Sequence, residues 1–295
     1  MIKIRSLPSG KIVNVKSPFI FGGGEQAIQI LDDPGKVALL ELTFNQDSDI
    51  MQLAFYVDAL RRMDCRTLTL SIPYFPGARQ DRVCNPGEAL SVKVYADIIN
   101  AMNFERVLIF DPHSEVTPAL INNVKVVNNH QFVTDVLWSD RTWKELHDKD
   151  QPGDATVFIS PDAGSNKKIY DLAKRWKGAY PVVRADKLRE LSTGKIIDCQ
   201  VYAEDLTNKT CVIIDDICSK GGSFIGLAKK LKEKNAAKIF LIVSHFEGTA
   251  NLSALKESGI DKVFTTNSKD WDTNDYNKAN YITTFNVFNY LHENI

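Results

Sequence analysis

The chain has 295 residues, 44% of them hydrophobic, which is enough for two ordinary domains or one large α/β unit with real cores. Its 36 basic and 37 acidic residues leave a net charge of -1, so no overall field draws it to nucleic acid or to an anionic membrane, and any phosphate binding must be local. Cys65, Cys84, Cys199, Cys211 and Cys218 are odd in number and form no C-x-x-C pair, so neither a disulfide framework nor a zinc site is suggested. The N-terminus lacks the apolar core of a signal peptide, and no apolar run approaches membrane-spanning length; the expectation is a cytoplasmic protein with reduced thiols and no membrane partner.

In chain order, apolar strand-like runs alternate with helical periods, which predicts α/β layers on mostly parallel sheets. Val37 to Thr43, Thr67 to Ile72 and Val107 to Phe110 read as strands of a first half. Between them Ile50, Leu53, Ala54, Val57 and Leu60 mark one helix, and Leu90, Val94, Ile98 and Met102 mark a second. The polar stretch Ser139 to Gly153 carries charge, Pro152 and Gly153 and divides the chain into α/β domains over residues 1–145 and 146–295. In the second half Thr156 to Ser160, Thr210 to Ile214, Ile239 to Ser244 and Lys262 to Thr265 repeat the strand rhythm, with helices near Lys167 to Trp176 and Phe224 to Lys232. Arg184 to Ile196, highly charged, reads as a solvated helix end or a mobile loop.

Residues suited to chemistry stand at the ends of these strands: Pro73-Tyr74, Asp111-Pro112-His113, Pro161-Asp162, Asp215-Asp216 and Ser244-His245. Ligands of open α/β sheets gather at that edge. The stretch Cys211 to Ser223 is the most informative. A β-branched run ends in two carboxylates, followed by Gly221, Gly222 and Ser223 and an amphipathic helix. The glycines let backbone N–H groups approach an anion, Ser223 adds a hydroxyl, and the helix dipole favours negative charge. A vicinal carboxylate pair suits the two hydroxyls of a ribose; equally, the two aspartates could cap a plain βα-turn. The stretch is neither a P-loop, since its lysine precedes the glycines, nor a dinucleotide fingerprint. A second stretch, Ile72 to Arg82, sets Arg79 and Arg82 around Gln80-Asp81 on a glycine-containing loop, suited either to grip a triphosphate by forked hydrogen bonds or to form a surface salt-bridge cluster.

The glycine stretch resembles the phosphoribosyl-diphosphate loop shared by type I phosphoribosyltransferases and ribose-phosphate diphosphokinases. Together with Val57 to Arg62, Ile72 to Arg82 and Asp111 to His113, it makes most of the chain similar to the ribose-phosphate diphosphokinase (PRPP synthetase) family. Phe21-Gly-Gly-Gly-Glu25 looks like that family's nucleotide-binding flag, Ser160 to Gly164 like its diphosphate loop, and Asp186-Lys187-Leu-Arg189 like its catalytic flexible loop. A phosphoribosyltransferase would lack the ATP-binding first half. The resemblance implies two similar type I phosphoribosyltransferase-type α/β domains with mostly parallel sheets. It implies that Phe21, Gly23, Gly24, Glu25, Arg79, Gln80 and Arg82 hold ATP and that His113 and Asp162 hold Mg²⁺. Asp215, Asp216, Ser219, Lys220, Gly221, Gly222 and Ser223 would hold the ribose phosphate, and Lys187 and Arg189 would clamp the transferring group as their loop closes. The implied reaction is attack of the anomeric hydroxyl of ribose 5-phosphate on the β-phosphorus of ATP, expelling AMP, in a homo-oligomer.

Three departures stand out. Gly23 replaces the flag's usual acidic residue, Pro112 stands between Asp111 and His113, and Ser219-Lys220 replace the family's Asp-Thr. The last changes the charge of the ribose-phosphate loop by about two units and leaves a larger ester, such as ADP-ribose, as an alternative acceptor. Val83 to Leu90 also differs from the family's basic version, which leaves regulation by phosphate or nucleotides open. A catalytically silent relative is a third reading, against which the retained Lys187 and Arg189 argue.

Overall fold

The computed structural model describes residues 2–139, 156–176, 180–189, 196–271 and 281–295. They form two compact units: Met1–Asn128 with Ser268–Asp270 and Asn286–Ile295, and Asn129–Asn267 with Trp271–Phe285. The expected 145/146 boundary lies outside the described residues. These units assign Asn129 to Ser139 to the second and return the C-terminal residues to the first.

The first unit begins with β1 (Ile2–Ser6), β2 (Val15–Ile20), β3 (Gln26–Ile30), β4 (Val37–Leu42), α1 (Ser48–Arg62) and β5 (Thr67–Ser71). It continues through α2 (Ser91–Ala101), β6 (Arg106–Phe110), α3 (Val116–Leu120) and β7 (Val124–Val127). Its sheet has the order β1-β4-β5-β6-β7, parallel except that β1 runs antiparallel to β4 at the edge. β2 and β3 make a separate antiparallel ribbon. Parallel strands covered by helices bury both faces, and β4, β5 and β6 are accordingly almost wholly inside.

α1 buries Ile50, Leu53, Tyr56, Val57 and Leu60, close to the expected stripe. α2 forms where expected but turns another face inward. Val92, Ala96 and Ile99 are buried, as is the expected Met102 just past the helix, whereas the expected Val94 and Ile98 are 50% and 43% exposed. Both sets have helical spacing, so periodicity alone could not choose between them. The loop after β5 bears on the choice: a Cβ on Gly77 would lie 2.8 Å from Ser91 C and 2.9 Å from Val92 N, so this loop rests directly on the first turn of α2.

The second unit runs α4 (His130–Trp138), β8 (Thr156–Ser160), α5 (Asn166–Arg175), β9 (Val182–Arg189), β10 (Ile196–Val201), β11 (Thr210–Cys218) and α6 (Gly222–Glu233). It ends with β12 (Lys238–Phe246), α7 (Leu252–Glu257), β13 (Lys262–Thr266) and β14 (Ile282–Phe285), after which α8 (Val287–His292) rejoins the first unit. The sheet order is β10-β9-β8-β11-β12-β13-β14, with only β10 antiparallel to its neighbour. From β8 the chain moves to one side, from β11 to the other, so the order reverses between these two strands. Such a reversal opens a ligand crevice at the carboxyl ends.

Of the segment Arg184 to Ile196, residues 190–195 lie outside the described residues, and the rest corrects the expectation of a helix end or loop. Arg184 to Arg189 belong to β9 and Ile196 opens β10, with Lys187 opposite Cys199 and Asp186 opposite Gln200. Its charges masked a period of two: Ala185, Cys199 and Val201 are buried, while Asp198 and Gln200 are exposed. Among the described residues no helix is long and apolar enough to cross a membrane, and all five cysteines are free.

Candidate active site

Asp215 and Asp216 lie within β11 rather than after it. On the β12 side the ladder continues to Cys218 opposite Phe246, but on the β8 side it stops at Ile213 opposite Ile159. The two carboxylates therefore stand just beyond the last residue paired with β8, at the point where the strand order reverses. Asp215 Oδ1 accepts the Asp216 N–H at 2.9 Å. Burial, and then the neighbouring Asp216 and more weakly Asp162, push the Asp215 carboxyl well above the ordinary carboxylate range, against the opposing charge of Lys187. These four side chains thus share one electrostatic neighbourhood.

Asp162 occupies the loop between β8 and α5. Its Oδ1 accepts the Ser165 N–H at 3.1 Å, and the Ser165 hydroxyl lies 2.8 Å from both the Asp162 carbonyl oxygen and the Ser160 hydroxyl. Its Oδ2 accepts a hydrogen bond from Lys187 Nζ at 2.8 Å. Burial would raise this carboxyl, but the hydrogen bond and charge of Lys187, with the Ser165 N–H, outweigh it and hold Asp162 below its ordinary value. Lys187 is only 11% exposed in its side chain. The expected catalytic lysine and the expected metal-binding aspartate are thus one ion pair, a link that no sequence spacing announced. Arg189 ends β9 opposite Ile196; its side chain lies outside the described residues.

After β11, Gly221 caps α6 with φ +79°, a left-handed conformation that disfavours a Cβ. No side chain caps this helix N-terminus, and a Cβ on Gly222 would meet nothing within 4 Å. The first turn of α6 therefore offers backbone donors that an anion can approach closely. Ser223 lies in that turn, Ser219 is half-buried and Lys220 is exposed.

The other expected residues lie in the first unit. Phe21 to Glu25 form the turn of the β2–β3 ribbon, where the Phe21 N–H donates to Glu25 O and the Gly24 N–H to Phe21 O. Gly24 has φ +94°, and a Cβ on Gly23 would come within 2.7 Å of Glu25 Oε2, so the departure at Gly23 leaves room for the Glu25 carboxylate. Arg79 and Arg82 are exposed, and Gln80 is held by the Ser91 hydroxyl at the start of α2. His113 is exposed beyond the end of β6. Sequence reasoning missed Tyr202, whose phenol donates to Asp186 Oδ2 at 2.8 Å. The alternation Cys199-in, Gln200-out, Val201-in would have placed it on the outer face of the hairpin.

A family model described as the N-terminal domain of ribose phosphate pyrophosphokinase matches residues 24–102, and one described as a phosphoribosyl transferase domain matches residues 139–276. A ribose-phosphate pyrophosphokinase of Vibrio cholerae is 31% identical over 84% of this chain and 76% of its own length. One from Buchnera aphidicola is 29% identical over 82% of this chain and 75% of its own length. In fold, the chain is similar to phosphoribosylpyrophosphate synthetase from Mycobacterium smegmatis, with a TM-score of 0.78 at 20% identity over 97% of this chain and 90% of that one. The alternatives of a larger acceptor and of a silent relative draw no support from these relatives. The chain belongs to the ribose-phosphate pyrophosphokinase family.

Proposed function

We propose that this chain transfers the β,γ-diphosphate of ATP to the anomeric 1-hydroxyl of ribose 5-phosphate, giving PRPP and AMP. The sugar hydroxyl gives up its proton to solvent as its oxygen bonds to the β-phosphorus, and the bond from that phosphorus to the oxygen bridging to the α-phosphorus breaks, so AMP leaves. The observation that carries this reading is the meeting of Lys187 from β9, Asp162 from the loop after β8, and Asp215 and Asp216 from β11 in one electrostatic neighbourhood, β11 being the strand that leads into the N-terminus of α6, which no side chain caps.

In this reading Asp215 and Asp216 orient the ribose hydroxyls. The N–H groups of Gly221, Gly222 and Ser223, with the Ser223 hydroxyl, take the 5′-phosphate, and Ser219 and Lys220 border it. Lys187 and Arg189 stabilise charge on the transferring group, a task that is mostly positioning and electrostatics. Phe21, Gly23, Gly24, Glu25, Arg79, Gln80 and Arg82 hold ATP, the arginines by forked contacts with phosphate.

Magnesium fits the donors. Asp216 and Asp162 both raise the Asp215 carboxyl, and carboxylates gathered in this way suit a hard cation that takes oxygen ligands and keeps several waters. Among the described residues no group of three His, Cys, Asp or Glu could form a protein-only cage, so the ion would lean on the phosphates of ATP. On the second unit Asp162 would be its ligand, and it would supply neutralisation of phosphate charge. Homo-oligomeric assembly belongs to the same reading.

The test is incubation with ATP, Mg²⁺ and a panel of ribose phosphates, with chromatography of nucleotides and mass spectrometry of products. AMP and a ribose 1-diphosphate 5-phosphate are expected. ADP as the sole nucleotide product overturns the assignment.

A further inference from the structure

We infer that Tyr202 is a positioning residue for Lys187, acting through the outer face of the β9–β10 hairpin. The argument follows from strand alternation. Lys187 lies opposite Cys199 and Ala185 opposite Val201. Ala185, Cys199 and Val201 are 0%, 5% and 7% exposed and belong to the core of the second unit. The inner face of the hairpin is thus seated on the core, and Lys187 leaves it to reach Asp162.

Arg184 and Asp186 alternate with these residues and fall on the other face. Tyr202, one residue past β10, grips both. Its N–H donates to Arg184 O at 3.0 Å, its ring lies 5.6 Å from the Arg184 guanidinium carbon, and its phenol donates to Asp186 Oδ2 at 2.8 Å. An aromatic side chain has the reach to span the directly opposite residue and the diagonal one. Tyr202 is 47% exposed, so these contacts do little for the core. Their effect is to pin the backbone on either side of Ala185, immediately before Lys187. A lysine ammonium on a flexible stem is only as well placed as the backbone it hangs from.

The inference rests on the proposed reaction, and the experiment separates the two. Wild type, Tyr202→Phe, Asp186→Asn, Lys187→Ala and the Tyr202→Phe/Lys187→Ala pair are compared in steady-state kinetics. Amide hydrogen exchange is followed in the wild type and Tyr202→Phe. Tyr202→Phe keeps the ring and loses only the hydroxyl; kcat should fall roughly three- to tenfold, the range of one ordinary hydrogen bond, with the KM for ATP unchanged. Asp186→Asn keeps an acceptor oxygen but loses its charge, so its kcat should fall between those of wild type and Tyr202→Phe. In the Lys187→Ala background the loss of the hydroxyl should cost nothing further, because the two residues then act as one unit. Exchange at Ala185 to Lys187 should quicken in Tyr202→Phe while that of α6 is unchanged. Equal losses in both backgrounds, or an unchanged kcat with unchanged exchange, overturn the inference. If the wild type makes no AMP, the proposed reaction falls, and the exchange rates alone then support or overturn the clamp.

Discussion

Lys187 shows how a residue in a highly charged run comes to lie largely inside a protein. Burying an ammonium is costly unless it is paired, and Asp162 supplies the pair. Lys187→Ala is expected to lower kcat by about 10² to 10³, the usual loss of one preorganised donor to a transition state, with the KM for ATP much less affected. Steady-state kinetics with varied ATP checks this. The same substitution should raise the pKa of Asp162. Its carboxyl is depressed in the folded protein, so its share of stability is present above the unfolded value and is lost as pH falls through the depressed one. Without Lys187 burial dominates and that share disappears, which carboxylate NMR titration and acid unfolding of the two proteins would reveal. Gly77 carries the opposite kind of constraint, backbone against backbone. It has φ +70° and no room for a Cβ beside Ser91 and Val92, so Gly77→Ala should destabilise by about 2 to 3 kcal/mol, combining left-handed strain with overpacking. Denaturant unfolding measures that cost, and a raised KM for ATP should accompany it because Arg79 and Gln80 ride on the same loop.

Among the elements, the edge of the first sheet depends on one buried carboxylate. Glu41 on β4 is 2% exposed in its side chain and lies 2.6 Å from Arg5 Nε on β1 and 2.8 Å from His292 Nε2 on α8. Burial would raise Glu41, but His292 and Arg5 outweigh it and hold it low. Its contribution is therefore present above the ordinary carboxylate value and fades as pH falls through the depressed one. Glu41→Gln should cost about 1 to 3 kcal/mol near neutrality, by weakening a charged hydrogen bond inside the protein, and the difference from wild type should shrink in acid. Thermal melts across the acid range test it; a gap independent of pH would mean that Glu41 acts through packing. The β9–β10 hairpin and α2 belong to this scale as well. In both, the run of residue types was readable, but the hairpin's charges concealed a period of two, and α2 offered two apolar faces.

At the scale of the molecule, the chain returns its C-terminal residues to the first unit. There α8 buries Val287, Tyr290 and Leu291, and Tyr290 stacks on Phe110 at 5.9 Å. Burial of these side chains is worth roughly 5 to 8 kcal/mol, comparable with the whole stability of an ordinary domain. Deletion of residues 286–295 should therefore unfold the first unit while leaving the melting transition of the second, as circular dichroism of the truncated protein would show. The α/β class, the central buried strands of both units with the helices beside them, and the family were legible in the sequence, because buried parallel strands, helical periods and loop motifs are local patterns whose meaning does not depend on distant residues; the edge strands and the short helices were not. Only the tertiary structure decided that β11 outruns β8 and leaves Asp215 and Asp216 beyond the last residue paired with β8. It alone joined Lys187 to Asp162, 25 residues away in sequence, and set Tyr202 against Asp186. It also turned Val92 rather than Val94 to the core and sent α8 back to the first sheet. Each of these depends on strand register, helix rotation or chain return, which are settled by the packing of distant segments against one another and leave no mark in a local window of residues.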